Sequence, residues 1–226
     1  MCYRQIIDKD KLSRPCKFAI KLIRPTSQVL EVGCATGYVT RELKNKGCKV
    51  TCIEIDGELA GKAKDFSEEI IVGDVEDTLT LERINKNFDY ILFMDVLEHL
   101  RYPKKVLMNV KNLLNTKGVV IVNIPNIVFY PNRIKLFTGH FEYEDFGFFD
   151  NTHLRFYNYK TSRKLLEDAG YNIQEGIPFL YFPGEYWLSK IPLLGRLGLK
   201  ITYAVKACFP NLFGFSFMYI ARPGDK

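Results

Sequence analysis

The chain has 226 residues, 47% of them hydrophobic, and a formal net charge of +6. That length suits one domain, or one domain with an appended cap, and supplies apolar residues for a full core. The charge permits an anionic ligand, substrate or membrane surface without requiring one. Lysines and arginines are dispersed rather than interleaved with aromatics, which argues against a nucleic-acid partner. The six cysteines (Cys2, Cys16, Cys34, Cys48, Cys52 and Cys208) form no C-x-x-C pair. That is the pattern of reduced thiols, not of a disulfide frame or zinc site. The first residues hold no apolar signal core, and no window approaches the roughly 20 charge-free apolar residues of a membrane span. The expected location is cytoplasmic.

In chain order, residues 1–24 mix charges with Phe18, Ile20, Leu22 and Ile23, which predicts a helix over the sheet edge, broken at Pro25. The apolar run Val29–Val32 reads as a buried parallel strand. It meets Gly33 and Gly37, which allow positive φ and a close backbone approach, and then a helical pattern from Tyr38 that stops at Gly47. Residues 49–53 form a second strand ending in Glu54, and residues 57–65 a helix. Residues 69–72 form a third strand closed by Gly73-Asp74, with a helical turn around 79–84. Residues 88–93 form a fourth strand. Pro103 opens a helix with Val106, Leu107, Val110, Leu113 and Leu114 inward, ended by Lys117-Gly118. Residues 119–124 are strand five.

Residues 126–157 differ: ten aromatics fall among Gly, Pro and Asn without a period. Asn158 caps a helix to Ala169, strand six starts at Tyr171, residues 179–210 are again aromatic and basic, and residues 213–221 read as a last strand. Strands and helices alternate from 28 to 124, which predicts an α/β, doubly wound, mostly parallel sheet with helices on both faces. Ligands of such sheets bind beyond the carboxyl ends of the strands, where strand order reverses. The expectation is one domain over 1–226, with a cofactor core at 28–124 and acceptor-side insertions at 126–157 and 179–210.

The strand ends carry the chemistry. Glu31 closes an apolar strand and is costly to bury unpartnered, so it is expected to face the crevice. Glu54, a little over twenty residues past the glycine turn, is placed to accept from both hydroxyls of a ribose. The alternative for Glu54 is a solvated loop acid. Asp74 can accept from an adenine amine, or can be a turn residue. Gly33-x-x-x-Gly37 is not the dinucleotide fingerprint G-x-G-x-x-G.

The runs EVGCATGYVT, CIEID, VGDVED and FDYILFMDVLEHL resemble the class I S-adenosylmethionine-dependent methyltransferases, nearest to the subgroup of ubiquinone-pathway O-methyltransferases and glycan or natural-product methyltransferases. THLRFYNYKTSRKLLEDAGY resembles a later segment of that subgroup. The resemblance implies a Rossmann-like seven-stranded sheet and S-adenosylmethionine as cofactor. It implies Glu31, Gly33, Ala35 and Gly37 around its methionine and ribose, Glu54 on the ribose, and Asp74 with Val75 at the adenine. Met94 and Asp95 would close the pocket near the sulfonium. The family's usual third glycine is Ala35 here.

If the acceptor is a hydroxyl, a base must take its proton, and His99 and His153 are the candidates. For each the alternative is a structural hydrogen bond that holds a loop. His140 reads as loop surface. Some relatives with the acid-x-x-acid-His run bind Mg²⁺ there, which would involve Asp95, Glu98 and His99; the preferred reading has no metal. The aromatic stretches predict a lid over the acceptor, or a cover for the sheet edge. A minority reading of Trp187 to Lys200 is an interfacial helix serving a lipid-linked acceptor. The function read here is methyl transfer to a small molecule, at an oxygen of a sugar or of a quinone- or phenol-like compound. The rivals are an NAD(P)-dependent oxidoreductase and a non-catalytic S-adenosylmethionine-binding module.

Overall fold

The computed structural model describes residues 12–181 and 208–224. Strand β1 (Gln28–Val32) is third in its sheet, flanked by β2 (Lys49–Glu54) and β4 (Phe88–Met94). Strand β3 (Glu69–Val72) extends one side, and β5 (Leu114–Pro125), β7 (Gly214–Pro223) and β6 (Tyr171–Leu180) the other. The order is β3-β2-β1-β4-β5-β7-β6, with β7 antiparallel to both neighbours and the remaining pairs parallel. This is the doubly wound, mostly parallel, seven-stranded sheet that the sequence predicts.

Side-chain alternation explains why the strands read as unbroken apolar runs: both faces are buried. Leu30 and Val32 join Ile53, Ile91, Phe93 and Val122 in one core. That core is covered by α5 (Pro103–Val110) through Leu107 and by α7 (Tyr159–Asp168) through Leu166. Val29 points to the other face, with Val50, Cys52, Leu92, Ile121 and Met218. Helix α2 (Tyr38–Asn45) covers it through Val39 and Leu43.

Helix α1 (Arg14–Leu22) also lies on this second face, with Cys16 and Ala19 in its core, rather than over the sheet edge. Its start is fixed by Ser13, whose hydroxyl accepts from the Cys16 amide. One other boundary differs from expectation. Helix α5 stops at Val110 because Leu114 already pairs with Phe88, so β5 begins five residues before Val119. β6 continues from Tyr171 to Leu180 because β7 supplies a full antiparallel partner.

Past β5, the aromatic stretch starts with α6 (Tyr130–Phe137) and is held by ring contacts between Phe129 and Phe148 and between Phe141 and Phe149. Most of the second aromatic stretch, including the proposed interfacial helix, lies outside the described residues. Among the described residues no helix is long and apolar enough to cross a membrane, and Cys16, Cys34, Cys48, Cys52 and Cys208 are free thiols.

The edge formed by β6 and β7 is tied to α7 by one buried phenol. Tyr219 is fully buried; its hydroxyl donates to the Tyr159 carbonyl at 3.0 Å and lies 2.7 Å from the Ser162 hydroxyl. Tyr219→Phe removes both contacts and leaves the Tyr159 carbonyl with the Ser162 hydroxyl at 3.4 Å. Urea unfolding should show a loss of about 1 kcal/mol with an unchanged m-value.

Candidate functional site

The chain crosses from β3 back to β4 on the far side of β1, so strand order reverses between β1 and β4. A cavity of about 850 Å³ opens there. The strand ladder continues into the loops that wall it. The Gly33 amide donates to the Ile53 carbonyl at 2.8 Å, the Gly73 amide to Glu54 at 2.9 Å, and the Asp95 amide to Asn123 at 3.1 Å. The tips are thus fixed against the sheet.

Gly33 and Gly37 have φ of 71° and 77°. A Cβ on Gly33 would lie 2.7 Å from Val96, and one on Gly37 2.9 Å from the Ala63 backbone. Both glycines are required by close packing as well as by backbone conformation. Ala35 keeps the left-handed conformation (φ 50°) that its side chain disfavours. Its amide donates to Glu54 Oε2 at 2.8 Å, which holds it there. Glu54 Oε1 accepts from the Asp56 amide at 3.0 Å. The buried Glu54 carboxylate is therefore immobilised between the glycine loop and the start of α3 (Gly57–Ala63), and each oxygen keeps a further lone pair.

Of the residues singled out in the sequence, Gly33, Ala35, Glu54, Asp74, Val75, Met94, Asp95 and His99 line this cavity. Asp74 is exposed; Oδ1 accepts from the Glu76 amide, and Oδ2 has no partner among the described residues. Among the described residues, Glu54, Asp74, Glu76, Asp77 and Asp95 face only Arg101 and Lys105, so the lining favours a cationic ligand. Asp95 has φ 57° and accepts from Asn123 Nδ2 at 2.6 Å; burial pushes its carboxyl up to about 6.

Glu31, Gly37 and His153 do not line it. Glu31 is buried under α2 instead of facing the crevice, and accepts from the Thr40 hydroxyl at 2.7 Å. Burial, opposed by that bond and helped by the Glu54 charge, pushes its carboxyl up to about 7. Gly37 supplies the turn behind the loop.

A second cavity, of about 280 Å³, shares Asp95 and His99 with the first and adds Glu98, Asn123, His153 and Ser216. The imidazoles of His99 and His153 pack edge to face, 4.7 Å between centroids. His99 Nδ1 approaches the Thr152 hydroxyl at 3.0 Å and its carbonyl at 3.3 Å, and that hydroxyl donates to Asp150. His153 Nδ1 reaches the Phe148 carbonyl at 3.4 Å. Carbonyls only accept, so both rings carry hydrogen on Nδ1 and leave Nε2 with a lone pair. Burial lowers both pKa values from the ordinary histidine range. Ligand atoms of Glu98, His99 and His153 lie within 4.8 Å of one another, a grouping that can hold a metal ion; Asp95 is not in it.

The sequence pattern alone does not single out Asn123 or Ser216. The polar member of VVIVNI near the end of β5 was the available signal, of the same kind as Glu31 in β1. Leu59, Leu100 and Tyr102, which add apolar wall to the first cavity, lie in segments without a diagnostic pattern.

A family model described as a methyltransferase domain matches residues 4–175. The chain belongs to the methyltransferase family. The ubiquinone biosynthesis O-methyltransferase of Glaesserella parasuis is 27% identical over 107 residues, 44% of this chain and 45% of that protein. The Coxiella burnetii enzyme of the same name is 28% identical over 101 residues, 43% of each. The matched segment spans less than half the length of these curated relatives. A SAM-dependent methyltransferase from Archaeoglobus fulgidus superposes with a TM-score of 0.66 at 15% identity, covering 95% of this chain and 94% of that one. Magnesium protoporphyrin IX methyltransferase from Synechocystis, solved with bound SAH, gives 0.59 at 14% identity, covering 93% and 80%. The fold is therefore that of these enzymes, and S-adenosylmethionine is the methyltransferase's cofactor. The residues present fit it: a rigid carboxylate with open lone pairs, a free Asp74 oxygen, apolar walls and an acid-rich lining.

The buried Glu31 makes stability depend on pH. Its carboxyl pKa is higher folded than unfolded, so its contribution is full below about pH 4.5 and is lost as pH rises through about 7. Glu31→Gln should gain on the ligand-free wild type by up to about 3 kcal/mol at pH 8 and by much less at pH 5. Equal differences at both pH values in chemical denaturation would show that Glu31 does not titrate there.

Proposed function

We propose that this chain transfers a methyl group from S-adenosylmethionine to an oxygen of a small-molecule acceptor, a sugar or a quinone- or phenol-like compound. The observation that carries the reading is that Asp95 and His99 wall both cavities. A donor in the larger cavity would present its reactive end, beside Met94 and Asp95, to an acceptor in the smaller one. The O-methyltransferase relatives support oxygen as the acceptor atom.

The larger cavity binds and orients. Glu54 accepts from the ribose hydroxyls, Asp74 from the adenine amine, and Val75 packs on the ring. Gly33, Ala35 and Gly37 shape the loop at the ribose and methionine, and Glu31 beneath that loop supplies negative charge toward a cationic donor once it ionises, above about pH 7. In the reaction an acceptor oxygen attacks the methyl carbon, the carbon–sulfur bond breaks, and the hydroxyl proton leaves to a base. Alignment supplies much of the rate. His153 is that base: Phe148 fixes its Nδ1–H and leaves Nε2 open. His99 positions the 150–154 loop through Thr152 and presents Nε2 to the same space. The insertion 126–157 forms the acceptor side through Phe146, Phe148, Asp150 and His153, and most of 179–210 lies outside the described residues.

A second reading is favoured by the grouping of Glu98, His99 and His153. A carboxylate and two imidazole lone pairs suit a divalent cation, which would acidify an acceptor hydroxyl by Lewis-acid polarisation.

Adenosylhomocysteine should raise the melting temperature of the wild type, and NADH should not; the reverse would move the chain to the nicotinamide class. Glu54→Ala should weaken adenosylhomocysteine binding by at least about tenfold, since two charge-assisted hydrogen bonds go. His153→Ala should cut kcat about 10²-fold or more with cofactor affinity unchanged. An unaltered kcat would make His153 structural.

A further inference from the structure

The smaller cavity contains an imbalance that methyl transfer alone does not explain. Among the described residues, four buried side-chain oxygens there have no hydrogen-bond partner: both oxygens of the Glu98 carboxyl, Asn123 Oδ1 and Ser216 Oγ. Glu98 is 1% exposed, Asn123 1% and Ser216 3%, so bulk water does not serve them. Asn123 has committed its Nδ2 to Asp95, which fixes the amide and leaves Oδ1 as an acceptor. Buried oxygens left unpaired are costly, and four in one hollow mark a place where a ligand supplies the donors.

The remaining lining narrows the ligand. Asp95, Glu98 and Asp150 contribute three carboxyl groups, and among the described residues no lysine or arginine lines the cavity. A carboxylate or phosphate beside the reacting atom would meet these acidic groups and, among the described residues, no counter-charge. An amine would be held by the same carboxyls as an ammonium, which has no lone pair for the methyl carbon. A neutral hydroxyl remains, and the neighbouring bases suit it. Besides the reacting hydroxyl, a phenol brings no donor and a catechol one, whereas a hexoside brings three to the four waiting oxygens. Phe146, Phe148 and Phe215 meanwhile offer apolar faces to a ring.

We propose that the acceptor end bound in this cavity is a neutral, polyhydroxylated saturated ring, a sugar unit, gripped by Glu98, Asn123 and Ser216 against the aromatic wall. The proposal rests on the methyl-transfer reading above and names its acceptor. In the reaction one ring hydroxyl is the nucleophile: an oxygen–carbon bond forms to the methyl, the carbon–sulfur bond of the donor breaks, and the hydroxyl proton passes to His153 Nε2. The other hydroxyls donate to the waiting oxygens.

The test uses the full chain and S-adenosylmethionine carrying a labelled methyl. The acceptor panel holds methyl glycosides of neutral hexoses and deoxyhexoses, the corresponding uronic acids and sugar phosphates, catechols, and primary amines. Label should enter a neutral glycoside. Ser216→Ala and Glu98→Gln, both near-isosteric, should each raise KM for that glycoside about tenfold or more. Adenosylhomocysteine affinity, measured by calorimetry on the same samples, should not change, and that control also reports folding. Label in catechol, amine or anionic sugar but in no neutral glycoside overturns the assignment. So does label in none of them while adenosylhomocysteine still binds, which leaves the cofactor reading standing. An unaltered KM in both variants removes the grip. Loss of turnover with EDTA, restored by Mg²⁺, assigns Glu98 to a cation and overturns direct sugar contact.

Discussion

The site depends on one carboxylate. Glu54 sits at the tip of β2, buried, with one oxygen on the Ala35 amide and the other on the Asp56 amide. These two bonds join the loop after β1 to the turn before α3, and they hold Ala35 in a backbone conformation that alanine seldom adopts. A buried anion needs such partners, and a strained loop needs such an anchor; each requirement answers the other. The result is a preformed wall whose remaining lone pairs are aimed before any ligand arrives.

The rest of the molecule keeps that wall in place. The sheet is apolar on both faces, so its register is pinned from two sides, and the strand tips inherit that rigidity through the Gly33, Gly73 and Asp95 amides. The reversal of strand order opens the larger cavity. The loop after β4 then divides the space into two compartments, with Asp95 and His99 on the partition. On the proposed reading, cofactor chemistry falls to the ends of β1 to β4 and acceptor chemistry to β4, β5 and β7, with the loop after β4 shared.

This division matches what was legible in the sequence. The first three strands, their glycine turn and Glu54 and Asp74 are read from local patterns, because each strand is short, apolar and followed at once by its functional residue. The acceptor side is built from distant pairings. Asn123 matters through Asp95, 28 residues earlier, and Ser216 enters only because β7 lies antiparallel to β5. No local pattern encodes such a meeting. Glu31 shows the converse: an acid at a strand end looks like a crevice residue, but the alternation of β1 sends it under α2, where Thr40 receives it. The end of α5 was misplaced for a similar reason, since Leu114 fits a helical period until Phe88 claims it for the sheet.

The most direct measurement is a crystal structure of the protein with adenosylhomocysteine. The account requires the ribose hydroxyls on Glu54, the adenine amine on Asp74, and the sulfur at the partition formed by Asp95 and His99. A nucleoside bound elsewhere, or bound in this cavity with Glu54 still engaged only by the Ala35 and Asp56 amides, would contradict it.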